Sequence, residues 1–75
     1  MIKLRLSTAD KRQQLIVDEE KTPLGILQDN SVIIEGASIN LDGIALTREE
    51  LNSPLSALVY SESATLSVVV KSGNA

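Results

Sequence analysis

The two ends of the chain carry the same pattern, and this pattern limits the folds that the sequence can adopt. Apolar and polar residues alternate over residues 2–7 and again over residues 65–71. A period of two places one set of side chains in a core and the other in solvent, which is typical of a half-buried strand. At 75 residues the chain is one domain. We therefore expect the last strand to pair with the first in the centre of a single sheet.

Composition restricts both the core and the chemistry. The sequence has no Cys, His, Phe or Trp, and Tyr60 is its one aromatic residue. The core must therefore be built from Leu, Ile and Val. Disulfide and zinc–thiolate sites are excluded, and the commonest general base near neutral pH is missing. Ten acidic and seven basic residues give a net charge of −3, which disfavours nucleic-acid binding.

The first half of the chain predicts a hairpin followed by a helix. Residues 9–12 read as a polar turn, and a second strand follows around Leu15 and Val17. The pair Thr22-Pro23 begins a helix, because threonine is a good N-cap and proline suits the first helical position.

The helix has a predicted apolar side and two possible ends. Leu24 and Leu27 share one face, with Ile26 beside them. The helix can stop at residues 29–31, which are Asp-Asn-Ser, or it can continue to Ile34 with one polar residue on its apolar face. We favour a helix of about two to three turns.

The second half predicts a hairpin, a capped helical turn and the last strand. Asp42-Gly43 separates alternating residues 37–41 from a short return strand at 44–46, and glycine accepts the positive φ that such a turn requires. Thr47 and Glu50 match a capping box, in which each side chain accepts a hydrogen bond from a free backbone N–H. A further turn can begin at residues 53–54.

The predicted order is β-β-α-β-β-β, with a short helical segment before the last strand. The predicted core contains the inward-facing residues of the strands and two residues of the helix. These are Ile2, Leu4, Leu6, Leu15, Val17, Leu24, Leu27, Ile39, Leu41, Leu66, Val68 and Val70.

This order resembles the ubiquitin-like β-grasp superfamily over nearly the whole chain. Residues 37–51, ASINLDGIALTREEL, are similar to the hairpin and capped turn of the small sulfur-carrier proteins of thiamine and molybdopterin synthesis. Residues 64–71 are similar to their final strand. The resemblance implies an α+β fold in which a mixed sheet of four to five strands packs on one helix. It also implies a single domain over residues 1–75 with a flexible tail at 72–75.

The resemblance fails at the tail. Sulfur carriers of this kind act through a C-terminal Gly-Gly, whereas residues 72–75 are Ser-Gly-Asn-Ala. We therefore expect a non-catalytic protein-interaction module or adaptor subunit. A sulfur carrier or protein modifier that acts through its C-terminus is the alternative.

The polar face of the sheet is the predicted protein-binding site. It combines basic side chains with exposed apolar ones, and such a surface favours a protein partner with an acidic patch. Isolated surface valines and isoleucines are also ordinary in proteins that bind nothing there. The predicted site residues are Lys3, Arg5, Ile16, Asn40, Ser67, Val69 and Lys71.

Other kinds of site are not predicted. Asp18, Glu19 and Glu20, together with Glu35 or Asp42, lack the spacing of a calcium loop. We expect no enzyme activity, no cofactor, no metal, no nucleic acid and no membrane partner, and we expect a cytoplasmic protein. Addition of a strand to a sheet edge, including pairing between copies of the chain, remains open.

Overall fold

The computed structural model describes residues 1–70 of the chain. Lys71 and the predicted tail at 72–75 lie outside the described residues. The elements, in chain order, are β1 (Ile2–Ser7), β2 (Arg12–Val17), α1 (Pro23–Asp29), β3 (Ala37–Leu41), β4 (Ile44–Ala45), α2 (Arg48–Leu51), α3 (Leu55–Leu58) and β5 (Ser63–Val70).

The strands form one mixed sheet in the order β2-β1-β5-β3-β4. β1 and β5 pair in parallel, and the other neighbouring strands pair antiparallel. The predicted α+β class and the central pairing of the first and last strands are confirmed. Two boundaries differ from the prediction. Arg12 belongs to β2 and not to the turn before it, and β5 begins at Ser63, two residues before the predicted start at residue 65.

Helix α1 begins as predicted and takes the shorter of the two predicted ends. The hydroxyl of Thr22 accepts a hydrogen bond from the backbone N–H of Gly25 at 3.0 Å. After Asp29, the Asn30 side chain donates to the carbonyl of Ile26 at 2.8 Å, and Ser31 has a φ of 58°. A left-handed residue ends a right-handed helix, so continuation to Ile34 is wrong.

The hairpin and the capping box of the second half are both confirmed. Asp42 and Gly43 have φ values of 52° and 86°, so both central residues of the two-residue turn are left-handed, as a type I′ turn requires. The Thr47 hydroxyl accepts from the Glu50 N–H at 3.1 Å, and the Glu50 carboxylate accepts from the Thr47 N–H at 2.9 Å.

The core lies between the sheet and the helical segments. Most of the predicted strand residues are part of it, and Leu15 and Val17 pack partly buried against it. The buried apolar residues are Ile2, Leu4, Leu6, Ile26, Leu27, Ile39, Leu41, Leu55, Val59, Ala64, Leu66 and Val68.

The predicted core was wrong at Leu24 and Val70. Helix α1 buries Pro23, Ile26 and Leu27, which share one face by the i, i+3, i+4 rule, and Leu24 is turned about 100° away from Pro23. Val70 is 61% exposed. It is the last residue of β5 and lies opposite Ala37, the first residue of β3, at the end of the sheet.

The predicted core also lacked four residues that the structure buries, namely Ile26, Leu55, Val59 and Ala64. Leu55 is fully buried, and Val59 is nearly so. The backbone N–H groups of Leu55 and Ser56 donate to the carbonyls of Lys21 and Glu19, each at 2.9 Å. These bonds hold α3 against the segment between β2 and α1, which places Leu55 under the sheet.

Candidate protein-binding surface

The sheet face turned away from the core is the candidate site, and we call it the outer face. Strict alternation places its side chains in solvent while their sequence neighbours enter the core. The outer face consists of Lys3, Arg5 and Ser7 on β1, Arg12, Gln14 and Ile16 on β2, Ser63, Thr65, Ser67 and Val69 on β5, and Ser38 and Asn40 on β3.

Strand pairing sets which of these side chains are neighbours. Lys3 lies between Ile16 and Ser63, and Arg5 lies between Gln14 and Thr65. A third row crosses the sheet at the level of Ser7. It contains Arg12, Ser7, Ser67, Asn40 and Ala45.

Three cations lie together on the β1–β2 half of the outer face. Lys3, Arg5 and Arg12 are exposed and occupy adjacent strands. Within residues 1–70 the structure has one salt bridge, between Lys21 and Asp29 at 2.9 Å, and it lies elsewhere. The three cations therefore remain available to a partner.

Arg5 and Arg12 border a shallow depression of about 440 Å³. The hydroxyls of Ser7, Thr65 and Ser67 also line it. Hydroxyls and arginines are donors for carboxylate oxygens, and an arginine can hold one carboxylate through two parallel bonds. The depression thus suits an acidic side chain.

Arg12, Ser7 and Thr65 were not among the predicted site residues. Arg12 was assigned to the turn before β2, although residues 12, 14 and 16 alternate with residues 13, 15 and 17. Extending that alternation by one residue would have identified it.

The apolar part of the predicted site is divided between two corners. Ile16 is 67% exposed and Val69 is 52% exposed. Ile16 is level with Ser63, at one end of β5, and Val69 is near the other end. At about 3.3 Å per residue the two are roughly 20 Å apart along the sheet. The two exposed apolar residues of the predicted site therefore do not form one apolar centre among its basic residues.

Each predicted site residue within residues 1–70 does lie on the outer face. Lys3, Arg5 and Ile16 form one group on β1 and β2, and Asn40 and Ser67 are direct cross-strand neighbours. Val69 stands apart, opposite Ser38. Lys71 lies outside the described residues. Their role in binding stays a prediction.

Across residues 1–70, no three Asp or Glu side chains are grouped so that they could hold a metal ion. None of the helices in this range is long and apolar enough to cross a membrane.

No protein-family model matches this sequence, and no curated protein matches it. Solved structures do match in fold. A ubiquitin-like domain of an Arabidopsis thaliana protein has a TM-score of 0.71 at 19% identity, and the match covers 99% of this chain and 81% of that one. A ubiquitin-like protein from Trypanosoma brucei has a TM-score of 0.71 at 18% identity, with 95% of each chain covered.

A thiamine biosynthesis protein, ThiS, from Geobacter metallireducens is also similar. Its TM-score is 0.63 at 17% identity, and the match covers 95% of this chain and 99% of that one. Identities at this level show a shared fold and no more. Together with the strand order β2-β1-β5-β3-β4 around α1, these matches show that the chain has the ubiquitin-like β-grasp fold.

Proposed function

We propose that this protein is a non-catalytic interaction module that binds an acidic patch of a protein partner through its outer face. The observation that carries the proposal is the group of exposed cations on adjacent strands, Lys3, Arg5 and Arg12, on a chain whose net charge is −3. Such a local reversal of sign steers an acidic partner to one face and repels it from the rest of the surface.

The surroundings of the cations support binding to carboxylates. Hydroxyls of Ser7, Thr65 and Ser67 flank the two arginines, so a bound carboxylate would meet several donors. Ile16, beside Lys3, adds apolar area at the rim of the same group. Apolar contact next to charged donors is a usual composition for a protein interface.

The test is a charge-reversal experiment on the tagged protein in its own cell extract. The double variant Lys3→Glu, Arg5→Glu, in which both changes lie on β1, should lose the proteins that the wild-type chain retains, measured by quantitative mass spectrometry. Arg48→Glu, which makes one such change at an exposed position on α2, should retain them. Binding should weaken as salt rises, since exposed charges are screened.

Two results would contradict the proposal. One is retention of the same partners by the double variant with its fold intact by circular dichroism. The other is an equal loss in Arg48→Glu, because a general charge effect would then explain the binding.

A second candidate function is that of a sulfur carrier or protein modifier acting through the C-terminus. The similarity to ThiS over 95% of the chain favours it. Mass spectrometry of the protein from its own cells distinguishes the two, because a terminal thiocarboxylate or an isopeptide bond to another protein would support the second candidate. Deleting residues 73–75 should leave binding intact under the first candidate and abolish activity under the second.

A further inference from the structure

Strand β2 forms one edge of the sheet. β1 lies on one side of it, and the strand order places no described strand on the other. Its pairing with β1 is continuous over six residue pairs, from Ile2 with Val17 to Ser7 with Arg12. β2 is therefore a straight, regular strand with one side open.

The backbone groups on the open side can be identified. The Lys3 N–H donates to the Glu62 carbonyl at 2.8 Å, so the Lys3 peptide groups point towards β5. Peptide groups alternate in direction along a strand, so those of Leu4 point towards β2. Those of its partner, Leu15, point towards β1. It follows that the peptide groups of Gln14 and Ile16 point away from the sheet.

A second hydrogen bond agrees with this assignment. The Thr8 N–H donates to the Lys11 carbonyl at 2.9 Å, which continues the same alternation past the end of the strand. Odd-numbered residues of β2 therefore face β1, and even-numbered residues face outwards.

Beyond its first residue, Arg12, β2 lacks the features that usually prevent an edge from pairing. Residues 13–17, Gln-Gln-Leu-Ile-Val, contain neither proline nor a charged residue, and the register has no bulge. Ile16, next to the last residue of the strand, is 67% exposed. Edges that stay single normally carry a charge, a proline or a bulge. This edge is built to receive another strand.

Charges at the two ends of β2 indicate that the strand which pairs with this edge is a second copy of β2. Lys11 and Arg12 stand at its start, and Asp18 and Glu19 follow its end. When a second copy of β2 runs antiparallel with Leu15 opposite Leu15, Arg12 lies opposite Asp18 of the second copy. The two-fold axis repeats this pair at the other end of the strand.

The same register satisfies the hydrogen bonds. It places Gln14 opposite Ile16 of the second copy, and both residues have outward peptide groups, so each pair can exchange two bonds. A shift of one position between the strands would oppose outward groups to inward ones. A shift of two positions loses the pairing of Arg12 with Asp18. In one direction Arg12 faces Ile16 and Asp18 faces Asp10. In the other direction Asp18 faces Gln14, and Arg12 faces Glu20, which lies in the turn after β2.

We infer that the protein forms a two-fold symmetric dimer through β2, with Leu15 at the axis. The two sheets join into one continuous sheet, as isologous strand pairing requires. Leu15 and Val17, which are half-buried in the single chain, lose further exposed area against Leu15 and Gln13 of the second copy. The dimer also brings both copies of the Lys3, Arg5 and Arg12 group onto one surface.

The first test is sedimentation equilibrium over a range of protein concentrations. The wild-type chain, of 8.0 kDa, should reach twice that mass. Asp18→Arg sets arginine against arginine at both ends of the pairing and should weaken the dimer about tenfold, since cross-strand charge pairs contribute modestly and two are reversed. Arg12→Asp should do the same, and the double variant Arg12→Asp, Asp18→Arg should restore the wild-type constant.

Glu49→Arg is the matched control. It makes the same change of charge as Asp18→Arg at an exposed position on α2, away from the edge, and should leave the dimer unchanged. Arg5→Glu should also leave it unchanged, because Arg5 lies on β1. Arg5→Glu thus tests partner binding without affecting the dimer, and Asp18→Arg tests the dimer.

The second test is amide hydrogen exchange at low and high protein concentration. The Gln13 and Leu15 amides, which face β1, should be protected at both. The Gln14 and Ile16 amides should exchange fast when dilute and slowly when concentrated. A mass of one chain at every concentration would overturn the inference. So would a dimer in which the Gln14 and Ile16 amides stay unprotected, or one that the double charge swap fails to restore.

Discussion

At the residue scale, Asp42 and Gly43 turn the chain between β3 and β4 and also tie this turn to β5. The Asp42 N–H donates to the Thr65 carbonyl at 2.8 Å, and the Asp42 carboxylate accepts from the Thr65 N–H at 2.9 Å. Aspartate tolerates the left-handed conformation better than most residues, and glycine does so freely. The Asp-Gly pair thus supplies both the conformation of the turn and an anchor for it.

Gly43→Val should destabilise the fold by about 1–3 kcal/mol, because a β-branched residue is strained at a φ of 86°. Gly43→Asn should lose less, since asparagine visits the left-handed region more readily. No neighbouring atom lies within 4 Å of a Cβ added there, so steric contact does not confuse the comparison. Urea denaturation measures both variants, and equal stability of Gly43→Val and wild type would contradict the explanation.

Leu55 illustrates how burial can depart from sequence expectation. The sequence placed Leu24 in the core, whereas the structure buries Leu55 completely and leaves Leu24 partly exposed. The spacing of Leu55, Leu58 and Val59 is that of a helical apolar face, and it was the available signal.

Leu55→Ala should cost about 2–5 kcal/mol, the range for a leucine truncated in a core. Leu24→Ala should fall well below that range, because its side chain is not part of the buried cluster. Chemical denaturation of the two variants compares them directly. A larger loss of stability in Leu24→Ala than in Leu55→Ala would mean that helix α1 buries Leu24, as the sequence predicted.

At the scale of elements, α2 depends on its cap more than on its own packing. It has four residues, none of which is buried, and Leu51 alone packs against the core from its end. A helix this short is not stable through its own hydrogen bonds. The reciprocal bonds between Thr47 and Glu50 therefore define where the chain leaves β4.

Thr47→Ala should cost about 0.5–2 kcal/mol, because it removes the acceptor for the Glu50 N–H. Thr47→Ser keeps a hydroxyl at the same position and should remain close to wild type. Thermal or urea unfolding measures the difference. Identical losses in the two variants would mean that the methyl group of Thr47, and not its hydroxyl, is what matters.

At the scale of the whole molecule, β5 joins two halves of the sheet that are distant in sequence. It lies between β1 and β3, pairing with one in parallel and with the other antiparallel. Without β5, the β1–β2 hairpin and the β3–β4 hairpin have no strand in common. A two-stranded hairpin alone is marginally stable at best.

A chain of residues 1–62 should therefore be unfolded by circular dichroism and by amide chemical-shift dispersion. A peptide of residues 63–70 should restore the fold when added, since it supplies the central strand. The same peptide with Leu66→Asp and Val68→Asp should fail, because both side chains enter the core. A folded chain of residues 1–62 would show that the sheet forms without β5.

The sequence by itself determined the features that arise from nearby residues. Alternation fixed the faces of β1 and β5, the Thr22 and Thr47 caps fixed two helix starts, and Asp42-Gly43 fixed the turn. Each of these depends on hydrogen bonds or backbone conformations within a few residues. Local chemistry is the same whatever the rest of the chain does, so a sequence pattern is enough to predict it.

Tertiary structure alone decided the registers in which these pieces meet. The pairing of β1 with β5 was expected, but its register, which joins residues about sixty positions apart in the chain, sets Ile16 and Val69 at opposite corners of the outer face. The same registers expose Val70 and place Arg12 beside Arg5. Register and strand order depend on which long-range contacts form together, so alternation could identify the residues of the candidate site but not their neighbours.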